Sequence, residues 1–227
     1  MTREEFLNQL PDLVKDYQAS DQVLAHVRHI DLLMIVGGTG VGKTSIIKRL
    51  GIPYVLSDTT RPIRPWEING HDYFFRTDYE QLAQEIKRRN FVQVMVFQTG
   101  DFYGTRAGAF PEVGYAVYAV VSDVVPQFRR LGFNDTVCAF VTPPSFQVWM
   151  DRLGQNNIGR DQLAKRFEEA KRSFVFALND GDTHFILNDD LGAAAAQTLA
   201  LLNGRVDAER EAKARQAAQA IHQQLSA

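Results

Sequence analysis

Eight consecutive residues, Gly37-Gly38-Thr39-Gly40-Val41-Gly42-Lys43-Thr44, satisfy the spacing G-x-x-x-x-G-K-[ST]. Glycines at these places let successive backbone N–H groups turn toward phosphate oxygens, and a helix starting behind them adds positive potential. Lys43 has the reach for terminal phosphates, and the Thr44 hydroxyl is a ligand suited to Mg²⁺. Gly38 through Ser45 are therefore the candidates for holding a nucleotide. The motif demands a strand before it and a helix after it, and the apolar run LLMIV and the stretch SIIKRL stand in those places.

A second anion-binding group follows in SDTTRPIRPWEINGHDYFF, residues 57–75. Ser57, Thr59 and Thr60 supply hydroxyls beside Arg61 and Arg64, with Tyr73 a short way downstream. Two arginines three apart, stiffened by Pro62 and Pro65, can grip a phosphate monoester bidentately where a lysine would hold it less definitely. Solvated loop charge is the plainer reading of such arginines, and the neighbouring phosphate loop favours the functional one.

The elements that must position these groups read as alternating strands and helices. Amphipathic helical spacing covers residues 2–29 around Pro11, before the first strand. Helical patterns follow at YEQLAQEIKRRN, at VVPQFRRLGF, over 145–178 with an interruption at GQNNIG, and over 191–202. Apolar runs FVQVMVFQ, AVYAVVSD, TVCAFVTPP and HFILNDD alternate with them as strands, and YVLS is a shorter apolar piece. The order predicts an α/β domain of doubly wound type, a parallel sheet flanked by helices. The last 22 residues form a helix with a thin apolar stripe at Ala214, Ala217, Ala218, Ile221 and Leu225, free to pack on the body, pair with another copy, or fray.

Composition narrows the function classes. The chain has 227 residues, 25 Lys plus Arg against 27 Asp plus Glu, and a formal net charge of -2. A general electrostatic grip on nucleic acid is not expected, so anions should be held locally. No apolar run is long enough to cross a bilayer, and the start MTREEFLNQLPDL lacks the layout of a signal peptide, so a cytoplasmic protein without membrane contact is expected. The single Cys138 lies in an apolar run and excludes a disulfide framework. The five histidines show no ligand spacing, and the basic pairs on helices read as solvated faces.

The motifs together resemble the guanylate kinase family. The resemblance runs through the arginine loop, then NFVQ (90–93), FYGT (102–105), FVTPPS (140–145), the K-R pair at 165 and 166, and LNDDL (187–191), covering about residues 31–203. It implies a P-loop NTPase fold with an inserted acceptor-binding subdomain at 57–108 and a lid at 152–166, preceded by a helical extension at 1–30 and followed by a C-terminal helix from 204. It also implies phosphoryl transfer from ATP, with Mg²⁺, to a nucleoside monophosphate. By the family's pattern Arg61, Arg64, Tyr73 and Tyr103 hold the acceptor phosphate, and Ser57 and Thr105 face the base. Arg152 and Arg166 close on the transferring group, and Asn188 sits near the ATP nucleotide.

Three departures bear on substrate and rate. Gln93 stands where the family carries a glutamate that takes the N1 and N2 protons of guanine. A carboxamide offers one acceptor and one donor, which complements adenine as well as a shifted guanine or hypoxanthine. GMP or dGMP is the expected acceptor, with AMP, dAMP or IMP as the alternative. Asp123 represents the family's acidic residues after the next strand, and Arg160 is the arginine left where the lid lacks Gly-Arg-Gly. A non-catalytic binding module of this family is the rival in a different class, and the intact phosphate loop argues against it. A sugar-phosphate kinase is disfavoured by Ser57, Tyr73 and Thr105. A homodimer through the terminal helices remains open.

Overall fold

The computed structural model describes residues 1–97, 99–154 and 160–226, with the side chains of 160–162 left aside. In chain order the elements are α1 (Arg3–Val14), α2 (Asp21–Val27), β1 (Ile30–Val36), α3 (Lys43–Leu50), β2 (Asp58–Thr59), β3 (Phe74–Phe75), α4 (Tyr79–Lys87), β4 (Phe91–Val96) and β5 (Phe102–Arg106). There follow β6 (Gly114–Ala119), α5 (Val125–Arg130), β7 (Asp135–Thr142), α6 (Phe146–Gly154), α7 (Arg160–Asn179), β8 (Thr183–Leu187), α8 (Leu191–Leu201) and α9 (Ala208–Ser226). They form two compact units, the first from residues 1–30, 53–116 and 128–135, the second from 31–52, 117–127 and 136 onward.

The first unit is built on a sheet of order β3-β2-β5-β4. Strand β5 pairs antiparallel with both β2 and β4, setting Gln93 opposite Thr105 and Met95 opposite Tyr103. Side chains alternate along a strand, so Tyr103 and Thr105 share one face of β5 and Phe102 and Gly104 the other. Phe102 joins the core with Phe91 and Val94, which packs against Leu82, Ala83 and Ile86 of α4 and Phe6 and Leu10 of α1. Helix α1 presents Phe6, Leu10 and Val14 at i, i+4, i+8, and it starts in a capping box where Thr2 and Glu5 satisfy each other's backbone N–H groups. It continues through Pro11, so the break lies after Val14 and not at the proline.

The second unit carries most of a parallel sheet of order β6-β1-β7-β8. Strands covered on both faces need unbroken apolar runs, and residues 32–36 and 138–141 are all buried. Cys138 is fully buried, as its surroundings in the sequence predict. The tail helix α9 buries Ala214, Ala218, Ile221 and Leu225 within this unit. It is anchored to the end of β8 by Arg210, whose guanidinium meets the Leu187 carbonyl at 3.1 Å and Asp189 at 2.6 Å.

One strand expectation changes in the structure, and the apolar piece YVLS finds its place. YVLS contributes no strand of its own, because β2 is confined to Asp58–Thr59, where the partners on β5 and β3 are available. The run AVYAVVSD ends as a strand at Ala119, and Ser122–Val124 forms a 3-10 turn. There the Ser122 hydroxyl bonds the carboxylate of its neighbour Asp123 at 3.2 Å.

Candidate active site

In the second unit the chain leaves β1 into the glycine loop and enters α3 through Gly42, which has a left-handed φ of 101° and no side-chain cap. The first-turn N–H groups of α3 are therefore left to a ligand or solvent, as an anion cradle requires. A Cβ on Gly42 would collide with the Asn188 amide, which donates to the Val41 carbonyl at 2.7 Å. Trp149, buried among Phe146, Phe167 and Phe174, donates its indole N–H to the Thr39 carbonyl at 2.8 Å. The loop is thus held from outside by two side chains that bond its carbonyls and leave its N–H groups unclaimed.

Lys43 folds back onto the loop, its ammonium bonding the Gly37 and Gly38 carbonyls at 2.6 and 2.9 Å. Desolvation pushes its pKa down to about 8, with the Glu169 carboxylate pulling the other way. Thr44 and Ser45 stand exposed on the first turn of α3. Arg152 reaches the Asn188 carbonyl at 2.9 Å, so it and Asn188 belong to the surroundings of the loop. Arg166 is half-buried on α7. Asp123 is exposed in the 3-10 turn after β6, in this unit. The lid segment 155–159 and the Arg160 side chain lie outside the described residues.

In the first unit Ser57 stands immediately before β2, Arg61, Arg64 and Tyr73 in the loop between β2 and β3, Gln93 on β4, and Tyr103 and Thr105 on β5. Arg61 is the centre of this group. Its Nε donates to the Tyr103 hydroxyl at 3.0 Å, and its guanidinium lies over the rings of Tyr73 and Phe75 at 4.9 and 5.2 Å. Both Nη atoms bond the Glu67 carboxylate, at 2.7 and 2.6 Å, and Nη1 also meets the Pro62 carbonyl. Burial opposes ionisation of both partners, yet their mutual hydrogen bonds hold the Arg61 pKa above and the Glu67 pKa below their ordinary values.

The two arginines of this loop differ in how far their donors are already engaged. Of the five N–H groups of a guanidinium, Arg61 has four engaged and one, on Nη2, without a partner among the described residues. Arg64, with nearly half of its side chain exposed and 3.7 Å from Glu67, is the arginine whose fork is available to a phosphate. Ser57, Gln93 and Thr105 are all buried. The Gln93 Nε2 has no hydrogen-bond partner among the described residues.

Sequence reading missed the ion pairs beneath this group. Asp58, almost fully buried, meets Arg76 at 2.7 Å and Arg106 at 2.9 Å, and Arg76 also pairs with Glu85. Glu67 stands three residues after Arg64, a spacing that marks a local pairing candidate, whereas the pairs of Asp58 span 18 and 48 residues and leave no local signal.

A family profile described as Guanylate kinase matches residues 29–203. The guanylate kinase of Nostoc sp. is 32% identical over 174 residues, covering 72% of this chain and 84% of that protein. That of Symbiobacterium thermophilum is 31% identical over 182 residues, 75% and 83% of the two chains. The crystal structure of guanylate kinase from Anaplasma phagocytophilum superposes with a TM-score of 0.55 at 19% identity, over 81% of this chain and 90% of that one, a likeness of fold. With the phosphate loop and the arginine loop both inside the matched span, the chain belongs to the guanylate kinase family of nucleoside monophosphate kinases.

Proposed function

We propose that the protein transfers the γ-phosphoryl group of ATP to a nucleoside monophosphate, GMP or dGMP first among them. The bond from the γ-phosphorus to the β–γ bridging oxygen breaks and one to an acceptor phosphate oxygen forms, giving ADP and a nucleoside diphosphate. The observation that carries this reading is the intact phosphate loop, with uncapped N–H groups on α3 and Lys43 within it, which a purely scaffolding member of the family would have no need to keep.

Catalysis here is positioning and charge neutralisation. Lys43 and the amides of residues 38–45 receive the phosphates of ATP. Arg64 and the remaining N–H of Arg61 orient the acceptor phosphate, with Tyr73 and Tyr103 fixing Arg61. Arg152 and Arg166 offset charge on the transferring group. No general base is needed, because a phosphate monoester oxygen is already anionic near neutral pH. Thr44, exposed on the first turn of α3, is the residue that would hold Mg²⁺. When bound, that ion would neutralise charge on the phosphates of ATP.

The acceptor base is read at Gln93. Its buried amide presents a donor where a carboxylate would present a second acceptor, so the edge of guanine meets a mismatched partner. We expect weakened discrimination for GMP, with AMP, dAMP or IMP turned over at rates a glutamate would forbid. Measuring ADP formation against GMP, dGMP, AMP, dAMP and IMP tests both levels. Gln93→Glu should raise the activity ratio of GMP to AMP. A protein that already prefers GMP by several orders of magnitude, with a ratio unmoved in the variant, would show that position 93 does not read the base. No ADP with any acceptor would remove the kinase reading itself.

A further inference from the structure

We propose that the N-terminal segment, which precedes the family-matched region, is a working part of the acceptor site, with Arg3 and Tyr17 as positioning residues for Arg61, Tyr103 and Gln93. The inference rests on the reading of the first unit as the place where the acceptor binds.

Arg3 is the first residue of α1, and the Thr2–Glu5 capping box fixes where that helix begins. From there its Nε donates to the Thr60 carbonyl at 3.3 Å, and its Nη2 pairs with the Asp101 carboxylate. Asp101 is buried and also receives the hydroxyls of Thr60 and Thr99. Thr60 and Phe102 are in turn locked together: the Thr60 N–H donates to the Phe102 carbonyl at 3.2 Å, and the Phe102 N–H to the Thr60 hydroxyl at 3.0 Å. The residues immediately after this pair are Arg61 and Tyr103, whose side chains bond each other at 3.0 Å. Arg3 therefore clamps the two backbone stretches that carry the arginine–tyrosine pair.

Tyr17 acts at the other edge of the same sheet. Its hydroxyl donates to the Phe91 carbonyl at 2.8 Å and accepts from the Phe91 N–H at 2.9 Å, taking both backbone groups of the first residue of β4. Burial pushes its pKa up to about 12, so the proton needed for donation stays in place. The β4–β5 ladder has a register irregularity between Phe91 and Gln93. A one-residue slip turns every following side chain to the opposite face, so a pin at Phe91 keeps Gln93 beside Thr105. Phe6 and Leu10 of α1 meanwhile pack on Phe91 and Phe102 from the reverse side. These contacts come from a segment of 28 residues ahead of the profile's first position.

The test compares the unmodified protein with Arg3→Ala, Arg3→Lys, Tyr17→Phe and Arg61→Lys, using Mg-ATP and whichever of GMP and AMP is turned over. Loss of positioning for binding raises KM for the acceptor and leaves kcat and the ATP KM near their starting values; we expect about tenfold for Arg3→Ala, with Arg3→Lys between it and the parent. Tyr17→Phe should raise the acceptor KM and shift the GMP-to-AMP ratio, which a merely structural role would leave alone. Should Arg3→Ala unfold because Asp101 is left unpaired, Arg3→Lys and Tyr17→Phe are judged by the same split. Folded variants with an unchanged acceptor KM, beside an Arg61→Lys that raises it, would overturn the inference while leaving the site reading intact. Acceptor KM, ATP KM and kcat declining together with loss of cooperative unfolding would reduce the segment to a structural prop and also overturn it. If Arg61→Lys is silent as well, the site reading falls and the inference with it.

Discussion

Lys43 should take up a proton when ATP binds. In the free protein its ammonium is desolvated against the Gly37 and Gly38 carbonyls, with a pKa of about 8 in place of the usual 10.5. A triphosphate beside it restores a counter-charge and returns the group to its ordinary range or above. At pH 7 the free ammonium is about nine-tenths charged, so binding takes up only about 0.1 proton; at pH 9 it is about one-tenth charged and the uptake approaches about 0.9. The same linkage weakens binding by about tenfold between pH 7 and pH 9. Titration calorimetry with a non-hydrolysable ATP analogue, in buffers of different ionisation enthalpy, reads the uptake directly. Lys43→Arg, which does not titrate in this range, supplies the background to subtract. Folding stability of the free protein should move the opposite way: between pH 8 and 10.5 the unfolded chain holds the extra proton, so this group makes the fold more stable as pH rises. An uptake below about 0.2 proton at pH 9 after subtraction, with flat affinity, would refute the desolvated-lysine account.

Trp149→Phe should raise the ATP KM by about tenfold with the acceptor KM unchanged, because Thr39 loses the indole N–H that holds its carbonyl; steady-state kinetics with each substrate varied in turn checks it, and an equal rise in both constants would assign Trp149 to general stability. Phe6→Ala should lower the unfolding free energy by about 3–5 kcal/mol, as for other fully buried aromatic side chains. Chemical denaturation measures that, and a loss below about 1 kcal/mol would mean that α1 is not part of the cooperative core.

How much of this could be read from the sequence follows from the range of the interactions. The phosphate loop is a local device: its glycines, lysine and threonine are contiguous, and the flanking strand and helix announce themselves by periodicity. The alternation of strands and helices was legible for the same reason, and so was the burial of Cys138. What resisted reading is long-range. Nothing near Arg61 in the chain says that Tyr103 will meet its Nε, that Arg3 will clamp the backbone beneath it, or that the Tyr17 hydroxyl will take both backbone groups of Phe91. A strand end was missed in AVYAVVSD, whose apolar run continues to Val121 while the strand stops at Ala119. The Thr2–Glu5 box was present in the letters T-R-E-E and would have fixed the start of α1 and the place of Arg3.

Gly104 shows how a motif residue that looks chemical can be architectural. In FYGT the glycine sits between Tyr103 and Thr105, yet a Cβ there would point away from them and collide with the rings of Phe102 and Phe91. Those rings stand edge to face, 5.3 Å apart, and Phe6 meets Phe102 in the same way at 6.4 Å. The glycine lets the aromatic layer close against the sheet, and that layer holds β4 and β5 at the spacing that puts Gln93 opposite Thr105. If Gln93 reads the base as proposed, its specificity would depend on packing from the reverse face. A buried amide donor without a partner costs about 1–3 kcal/mol, and a base that presents an acceptor to it recovers that amount, whereas the N1–H and N2–H₂ of guanine do not. On the proposed reading, in which Gln93 meets the acceptor base, the preference of the site would be set jointly by one carboxamide and by the aromatic layer, closed from behind by the N-terminal helix, that holds its strand in place.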